Sequence, residues 1–285
     1  MWIYLVLIYG LLKGAREICK KKALLTSSSI EVLLIYTIIG FLLVCPDAKN
    51  AMGMPPRFFI YVALKSFVIF LAWICSFKAI KQLPLSLYGV LDLSRVLFAT
   101  LLGIIVLGER MDIFNIIGLI LVSAGLLMLK FRPSFVNKKA VSGDNASPII
   151  VILALASCAL NAISGLLDKI LTKDITSSQL QFWYMLFLCG YYIIYAIVDR
   201  AHIDIRRAVT NKWIWLLSIM FVIADRALFV ANSMPDSQIT IMTLIKQSGC
   251  IVTIAAGKFI FKEKNTGYKF VCAAVIIAGI VTAVL

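Results

Sequence analysis

The chain has 285 residues, of which 62% are apolar and only 15% charged, and its mean hydropathy is +0.98. A soluble domain is roughly 45–50% apolar and about 25% charged, and no soluble core of this size could hide the surplus, so the solvent is a bilayer. Twenty-eight Lys and Arg against 14 Asp and Glu give a formal charge of +14, whose meaning depends on where it lies.

In chain order, ten apolar stretches are each long enough to cross ~30 Å of hydrocarbon as a helix. They fall near 2–24, 28–45, 58–80, 84–107, 113–130, 148–170, 179–198, 213–233, 238–261 and 267–285. Cap and turn signals separate most of them, among them Thr26-Ser27-Ser28-Ser29, Pro55-Pro56, Gly108-Glu109-Arg110, Thr176-Ser177-Ser178 and Pro235-Asp236. Residues 131–147, with Lys138-Lys139 and Ser142-Gly143-Asp144-Asn145, form the one true linker. The first stretch does not read as a cleavable signal peptide: it lacks a basic leader, meets Lys13 and Arg16, and has no small-residue cleavage site. The seven cysteines are scattered and contain no Cys-x-x-Cys, which suits packing thiols better than a disulfide frame or a metal site.

The linker separates two similar halves. Thr26-Ser27-Ser28 recurs as Thr176-Ser177-Ser178, 150 residues on, and the same offset puts Glu31 on Gln181. Gly108-Glu109-Arg110 lines up with Lys262-Glu263-Lys264 at an offset of 154, which also puts Asp92 on Lys246, Ser94 on Ser248 and Ala124-Gly125 on Ala278-Gly279. Five spans per half is an odd number, so two such copies cross the membrane in opposite directions, with the substrate site expected between them near the midplane. Gly108 suits the end of the fourth helix, and Glu109 and Asp112 the first turn of the fifth, where negative charge favours the helix dipole; Glu263 before Asn265 and Thr266 repeats the pattern. This structural reading is preferred to a gating role.

Tyr9-Gly10, Lys21-Lys22-Ala23-Leu24, Leu107-Gly108-Glu109-Arg110-Met111, Asn115-Ile116-Ile117-Gly118, Ser123-Ala124-Gly125 and Ile276-Ile277-Ala278-Gly279 resemble the drug/metabolite transporter superfamily of EamA type. Phe261-Lys262-Glu263-Lys264 departs from the usual Gly-Glu pair. The resemblance implies an all-α integral membrane protein of ten transmembrane helices in two inverted five-helix repeats, 1–130 and 148–285, and a multi-pass transporter of the cell membrane. It says little of the cargo, since the superfamily moves amino acids, drugs, nucleotide sugars, sugar phosphates and lipid-linked groups.

The odd-numbered connections hold 17 Lys and Arg and the even-numbered ones five. That bias points the odd loops to the cytoplasm and both termini outward, whereas the resemblance implies cytoplasmic termini. Either way, most of the basic excess orients the protein and meets anionic lipid rather than nucleic acid.

Six cations remain inside spans, Lys13, Arg16, Lys65, Arg95, Arg226 and Lys246, against three acids, Glu17, Asp92 and Asp225. Each charge at depth costs about 2.5–3.5 kcal/mol on insertion scales, so these groups should face the bundle interior or a wet cavity. Mutual pairing accounts for part of them: Lys13 with Glu17 and Asp92 with Arg95 within helices, and Asp225 with Lys246, Arg226 or Lys65. Lys65 could also snorkel to a membrane face. The residual +3 fits an anion cavity better than a dry interior. Lys13, Arg16, Arg95, Arg226, Lys246 and Gln247 are therefore the candidate substrate contacts, with Glu17, Asp92 and Asp225 in charge pairing or coupling. Asn161, Tyr88 and Ser94 are candidate wall residues, and the run from Phe182-Trp183-Tyr184 to Tyr195 reads as packing.

The expected activity is alternating access through a central cationic cavity, moving a small phosphorylated or carboxylated anion, with Asp92 or Asp225 free to carry a coupling proton. A flippase for a polyprenyl phosphate or lipid-linked sugar is the alternative. An intramembrane enzyme is distant: His202 lies in a loop, and no metalloprotease motif, nucleophile elbow or P-loop occurs. No cofactor or metal is expected. The expected partners are membrane lipid and an anionic small molecule, with homodimerisation open.

Overall fold

A computed structural model describes residues 2–108, 112–130, 147–199, 203–263 and 266–282. Glu109, Arg110, His202, Lys264, Asn265 and all but the last residue of the linker lie outside the described residues. Every regular element among the described residues is helical. The first half holds α1 (Trp2–Ala23), α2 (Ser29–Val44), a 3-10 turn (Cys45–Asp47) running into α3 (Ala48–Ala51), α4 (Arg57–Gln82), α5 (Leu85–Leu91), α6 (Arg95–Leu107) and α7 (Ile113–Lys130). The second holds α8 (Pro148–Leu171), α9 (Ser177–Val198), the short α10 (Ile205–Thr210), α11 (Lys212–Asn232), α12 (Ile239–Lys246), α13 (Gly249–Phe259) and α14 (Thr266–Thr282).

Six helical segments are long and apolar enough to cross a membrane on composition alone: Ser29–Ala51, Arg57–Gln82, Leu85–Leu107, Pro148–Leu171, Ser177–Val198 and Lys212–Asn232. The helix α1 has the length but carries Lys13, Arg16, Glu17 and Lys20-Lys21-Lys22, which interrupt its apolar run. Ile60, Ile105, Ile197 and Val198 are more than 70% exposed on the flanks, while Lys13, Arg16, Glu17, Lys20, Lys65, Asp92, Asp168, Asp225 and Lys246 are buried. Apolar outside and charged inside is the inverse of a soluble fold, as a lipid solvent demands.

Local chemistry sets the helix ends. Ser28 and Glu31 form a reciprocal capping box at the start of α2, and Thr176 and Gln179 form another at the start of α9. These boxes lie 148 residues apart, and Gln179, not Gln181, holds the place in its box that Glu31 holds in the first. Gly108 closes α6 in the left-handed region (φ 66°), and Asp112 accepts from the Asn115 amide at 2.8 Å to start α7. Glu263 departs from expectation. Its carboxylate does not cap α14 but crosses to the start of α5, where it accepts from the amides of Leu85 at 2.5 Å and Ser86 at 3.1 Å and from the Ser86 hydroxyl.

The fourth and ninth apolar stretches are not uniform helices. Between α5 and α6, Asp92–Ser94 tightens into a 3-10 turn. Between α12 and α13, Ser248 donates to the Ile245 carbonyl and Cys250 to that of Gln247, the same three-residue spacing. The two hitches sit 154 residues apart, the offset seen in the sequence. Helix pairing also exchanges between the halves: α1 packs on α11 as α4 packs on α8, and α2 on α11 as α9 on α4, with α7 against α14. Helix α1 comes closest to the second hitch, where a Cβ on Gly14 would fall 2.5 Å from the Gly249 carbonyl oxygen and one on Gly249 2.4 Å from that of Gly10.

Gly249→Val should therefore overpack this crossing at a cost of about 1–3 kcal/mol, read as a lower melting temperature in detergent. Gly190→Ala, which meets no heavy atom within 4 Å, should leave the melt unchanged.

Candidate functional site

Eight of these nine buried charges, all but Asp92, line one central cavity of about 80 Å³. That is room for several waters. Helix α1 supplies Lys13, Arg16, Glu17 and Lys20, spaced at i, i+3, i+4 and i+7 on a single face. Lys65 comes from α4, Arg95 from the start of α6, Asp168 from the end of α8, Asp225 from mid-α11 and Lys246 from the last residue of α12. Tyr36, Trp73, Tyr184, Phe221 and Phe229 form the aromatic wall.

Pairing in the cavity differs from the intrahelical expectation. Lys13 does not bind Glu17; it reaches across to the carboxylate of Asp92 and to the Gln247 carbonyl oxygen at 3.1 Å. Glu17 pairs instead with Lys20 at 2.7 Å. Arg95 does hold Asp92, at 2.7 Å, as its spacing implies. Asp225 meets none of its three expected partners: Arg16 of α1 stands 3.6 Å away, and the Tyr184 hydroxyl 3.4 Å. Lys65 does not snorkel. Its ammonium is 3.2 Å from Asp168 and lies over the Tyr184 ring, 3.2 Å from its centroid.

Three cations of the cavity are incompletely satisfied, one of them Arg95, whose Nε makes no hydrogen bond. Arg16 stacks 4.7 Å above Phe221, but its Nε and Nη1 make no hydrogen bond. Lys246 is 7% exposed and makes no hydrogen bond or ion pair with any described residue; the Tyr9 ring, 5.7 Å away, is its one cation–π neighbour.

Lys13, Arg16, Glu17, Arg95, Asp225 and Lys246 are thus brought together, with Asn161 and Tyr88 beside them. Asp92 and Gln247 sit behind Lys13 at the hitches, off the cavity surface. Arg226 lies elsewhere: it binds Asp47 at 3.0 Å and Ser178 at 2.7 Å and is 38% exposed. Neighbouring residues on a helix point about 100° apart, so α11 cannot send both Asp225 and Arg226 inward. Phe182–Tyr195 packs against α4, with Phe59 on Trp183 at 4.6 Å and Phe70 on Tyr192 at 5.0 Å, while Tyr184 reaches the cavity.

Lys20 and Asp168 are absent from the six cations and three acids that the sequence places inside spans, yet both line the cavity. Spacing carried the signal: Lys20 continues the Lys13–Arg16–Glu17 face, and Asp168 lies seven residues after Asn161 on α8. With these two included and Arg226 removed, six cations line the cavity against four carboxylates counting Asp92, a formal excess of +2 instead of +3. The seven cysteines are unpaired and five of them are buried.

A lipid-facing helical shell around an occluded charged centre defines a multi-pass integral membrane protein. Residues 1–131, a little under half of the chain, match the EamA-like transporter family. A curated relative from Sinorhizobium sp., an uncharacterized transporter in the cobO 3′ region, is 26% identical over 76 residues, 27% of this chain. The match spans about half (54%) of that relative's length. A solved crystal structure superposes with a TM-score of 0.72 over 99% of this chain and 96% of its own, at 13% identity, which shows a shared fold.

Removing one member of a buried ion pair strands the other, at a cost of about 3–5 kcal/mol. Asp168→Leu should therefore lower the melting temperature sharply, and the double change Asp168→Leu with Lys65→Met should recover most of the loss.

Proposed function

We propose that this protein is a secondary transporter of a small organic anion, phosphorylated or carboxylated, which binds in the central cavity and is released by alternating access. The chain acts as two inverted five-helix units, 1–130 and 148–285, joined by the linker 131–147, with ten membrane crossings in all. The exchanged helix pairings and the two hitches 154 residues apart support that arrangement. The match of residues 1–131 to the EamA-like transporter family supports transport rather than catalysis.

Lys246 carries the assignment of an anion. A buried ammonium with no hydrogen bond or ion pair among the described residues, in a cavity with a formal excess of +2, has electrostatic capacity left for a ligand. Arg16 adds two unengaged guanidinium donors in the same space. Lys13 and Arg95 are committed to Asp92 and hold the hitches, so they set the field rather than grip the cargo.

Each face has a latch that a cycle must release in turn. Lys21 donates to the carbonyls of Ile80 and Leu83, both at 2.6 Å, at the end of α4, beside the contact of Glu263 with α5. At the opposite end of the bundle, Lys169 donates to the carbonyls of Asn232 at 3.1 Å and Met234 at 3.3 Å.

Thermal melting of the full chain with benzoate, phenyl phosphate, citrate and glucose 6-phosphate, against glucose and a primary amine, tests the reading. At least one anion should raise the melting temperature, by up to the equivalent of about 2.7 kcal/mol at a hundredfold excess over its Kd. Lys246→Gln should abolish the shift. Stabilisation by the amine alone would overturn the anion assignment, and an unchanged shift in the variant would remove Lys246 from the site.

A further inference from the structure

Among the buried carboxylates of the cavity, Asp92 and Asp225 are held in opposite ways. Asp92 is enclosed: Lys13 and Arg95 each take an oxygen, and the Cys158 thiol lies 3.8 Å from the second. Freeing it would break both ion pairs and unhook Lys13 from Gln247. Asp225 faces the open space, and its contacts are loose. Arg16 Nη1 stands 3.6 Å from one oxygen without a hydrogen bond, and the Tyr184 hydroxyl approaches the other at 3.4 Å. Arg16 is therefore only half engaged by the one carboxylate it has.

We propose that Asp225 is the proton-carrying group of the transport cycle: an anionic cargo displaces it from Arg16, and the freed carboxylate takes up one proton at Oδ. This rests on the reading of the cavity as an anion site. The Arg16–Asp225 pair breaks, an Arg16–cargo pair forms, and the proton comes from the side to which the cavity is open. One monoanion and one proton then move together, and the closed cavity keeps its charge. Leaving Asp225 ionised would set it and the incoming anion in competition for the one guanidinium that both face.

The neighbours of Asp225 fix the sign. From α1 it faces Arg16, with Tyr9 near, from α4 Lys65, and from α12 Lys246. From α2, α8 and α9 come Tyr36, Asp168 and Tyr184. Lys65 is already held by Asp168 at 3.2 Å, so Arg16 is the cation in contact whose removal most favours the protonated form.

Arg16→Gln reproduces the displaced state without any ligand, so the test does not depend on knowing the cargo. Infrared difference spectra of the full-length protein between pH 8 and 5 should show the C=O stretch of one protonated carboxylic acid growing in on acidification. In Arg16→Gln that titration should move up by about 1–3 pH units. The band should vanish when Asp225→Asn is introduced into either background and persist in Asp92→Asn. An unmoved titration in Arg16→Gln, or a band that survives Asp225→Asn, would overturn the proposal even if anions stabilise the protein. Where Arg16→Gln fails to fold, the loss or survival of the wild-type band in Asp225→Asn alone decides.

Discussion

One ammonium group ties the centre of this bundle together. Lys13, midway along α1, spans from Asp92 in the hitch between α5 and α6 to Gln247 in the hitch between α12 and α13. The two kinked elements belong to different halves of the chain, and among the described residues Lys13 is the side chain that hydrogen-bonds to both. A charge at this depth is tolerable only when its protons are used, and Lys13 directs them to one carboxylate and one amide oxygen. Helix α1 must then run close over the second hitch, which explains Gly10, Gly14 and Gly249 at the crossing, where any side chain would strike backbone or a neighbouring side chain. Arg95 completes the charge on Asp92. The remaining cavity charges are arranged around that fixed point.

The cavity is more nearly neutral than a count of cations suggests. Three of its six positive groups are matched one to one, Lys20 with Glu17, Lys65 with Asp168 and Arg16 loosely with Asp225, while Lys13 and Arg95 share Asp92. Buried pairs of this kind add little net stability, because desolvation offsets much of their attraction. Their effect is positional. Among the described residues they leave Lys246 without an ion-pair partner, on the helix end next to the hitch that Lys13 grips.

Local features were legible in the sequence. The capping boxes, the left-handed Gly108 and the Arg95–Asp92 pair all rest on neighbours three or four residues apart, where helix geometry alone decides. Nearly all the span boundaries follow from the same signals. Tertiary partners were not legible. Lys13 has Glu17 one turn away, and only the crossing of α1 over α5 and α12 makes Asp92 the better partner. Asp225 and Arg226 looked equivalent because adjacency says nothing of which side a helix turns inward. The hitches escaped notice because Asp92-Leu93-Ser94 and Lys246-Gln247-Ser248 lack the Gly or Pro that usually marks a change of helix; what tightens them is contact with another element. Asp168 was misplaced for a different reason: a charge near the end of an apolar run reads as a loop residue unless its helical face is followed back to Asn161.

The contact between Glu263 and the start of α5 also bears on how the protein is made. The amides of Leu85 and Ser86 find their acceptor almost 180 residues further along the chain. During synthesis the first half enters the bilayer with that helix start unsatisfied, and α4 waits equally for α8. Neither half can therefore settle into its final packing as a finished unit before the other arrives. Assembly must end with a late closing step in which the last connection docks and completes a helix inserted long before.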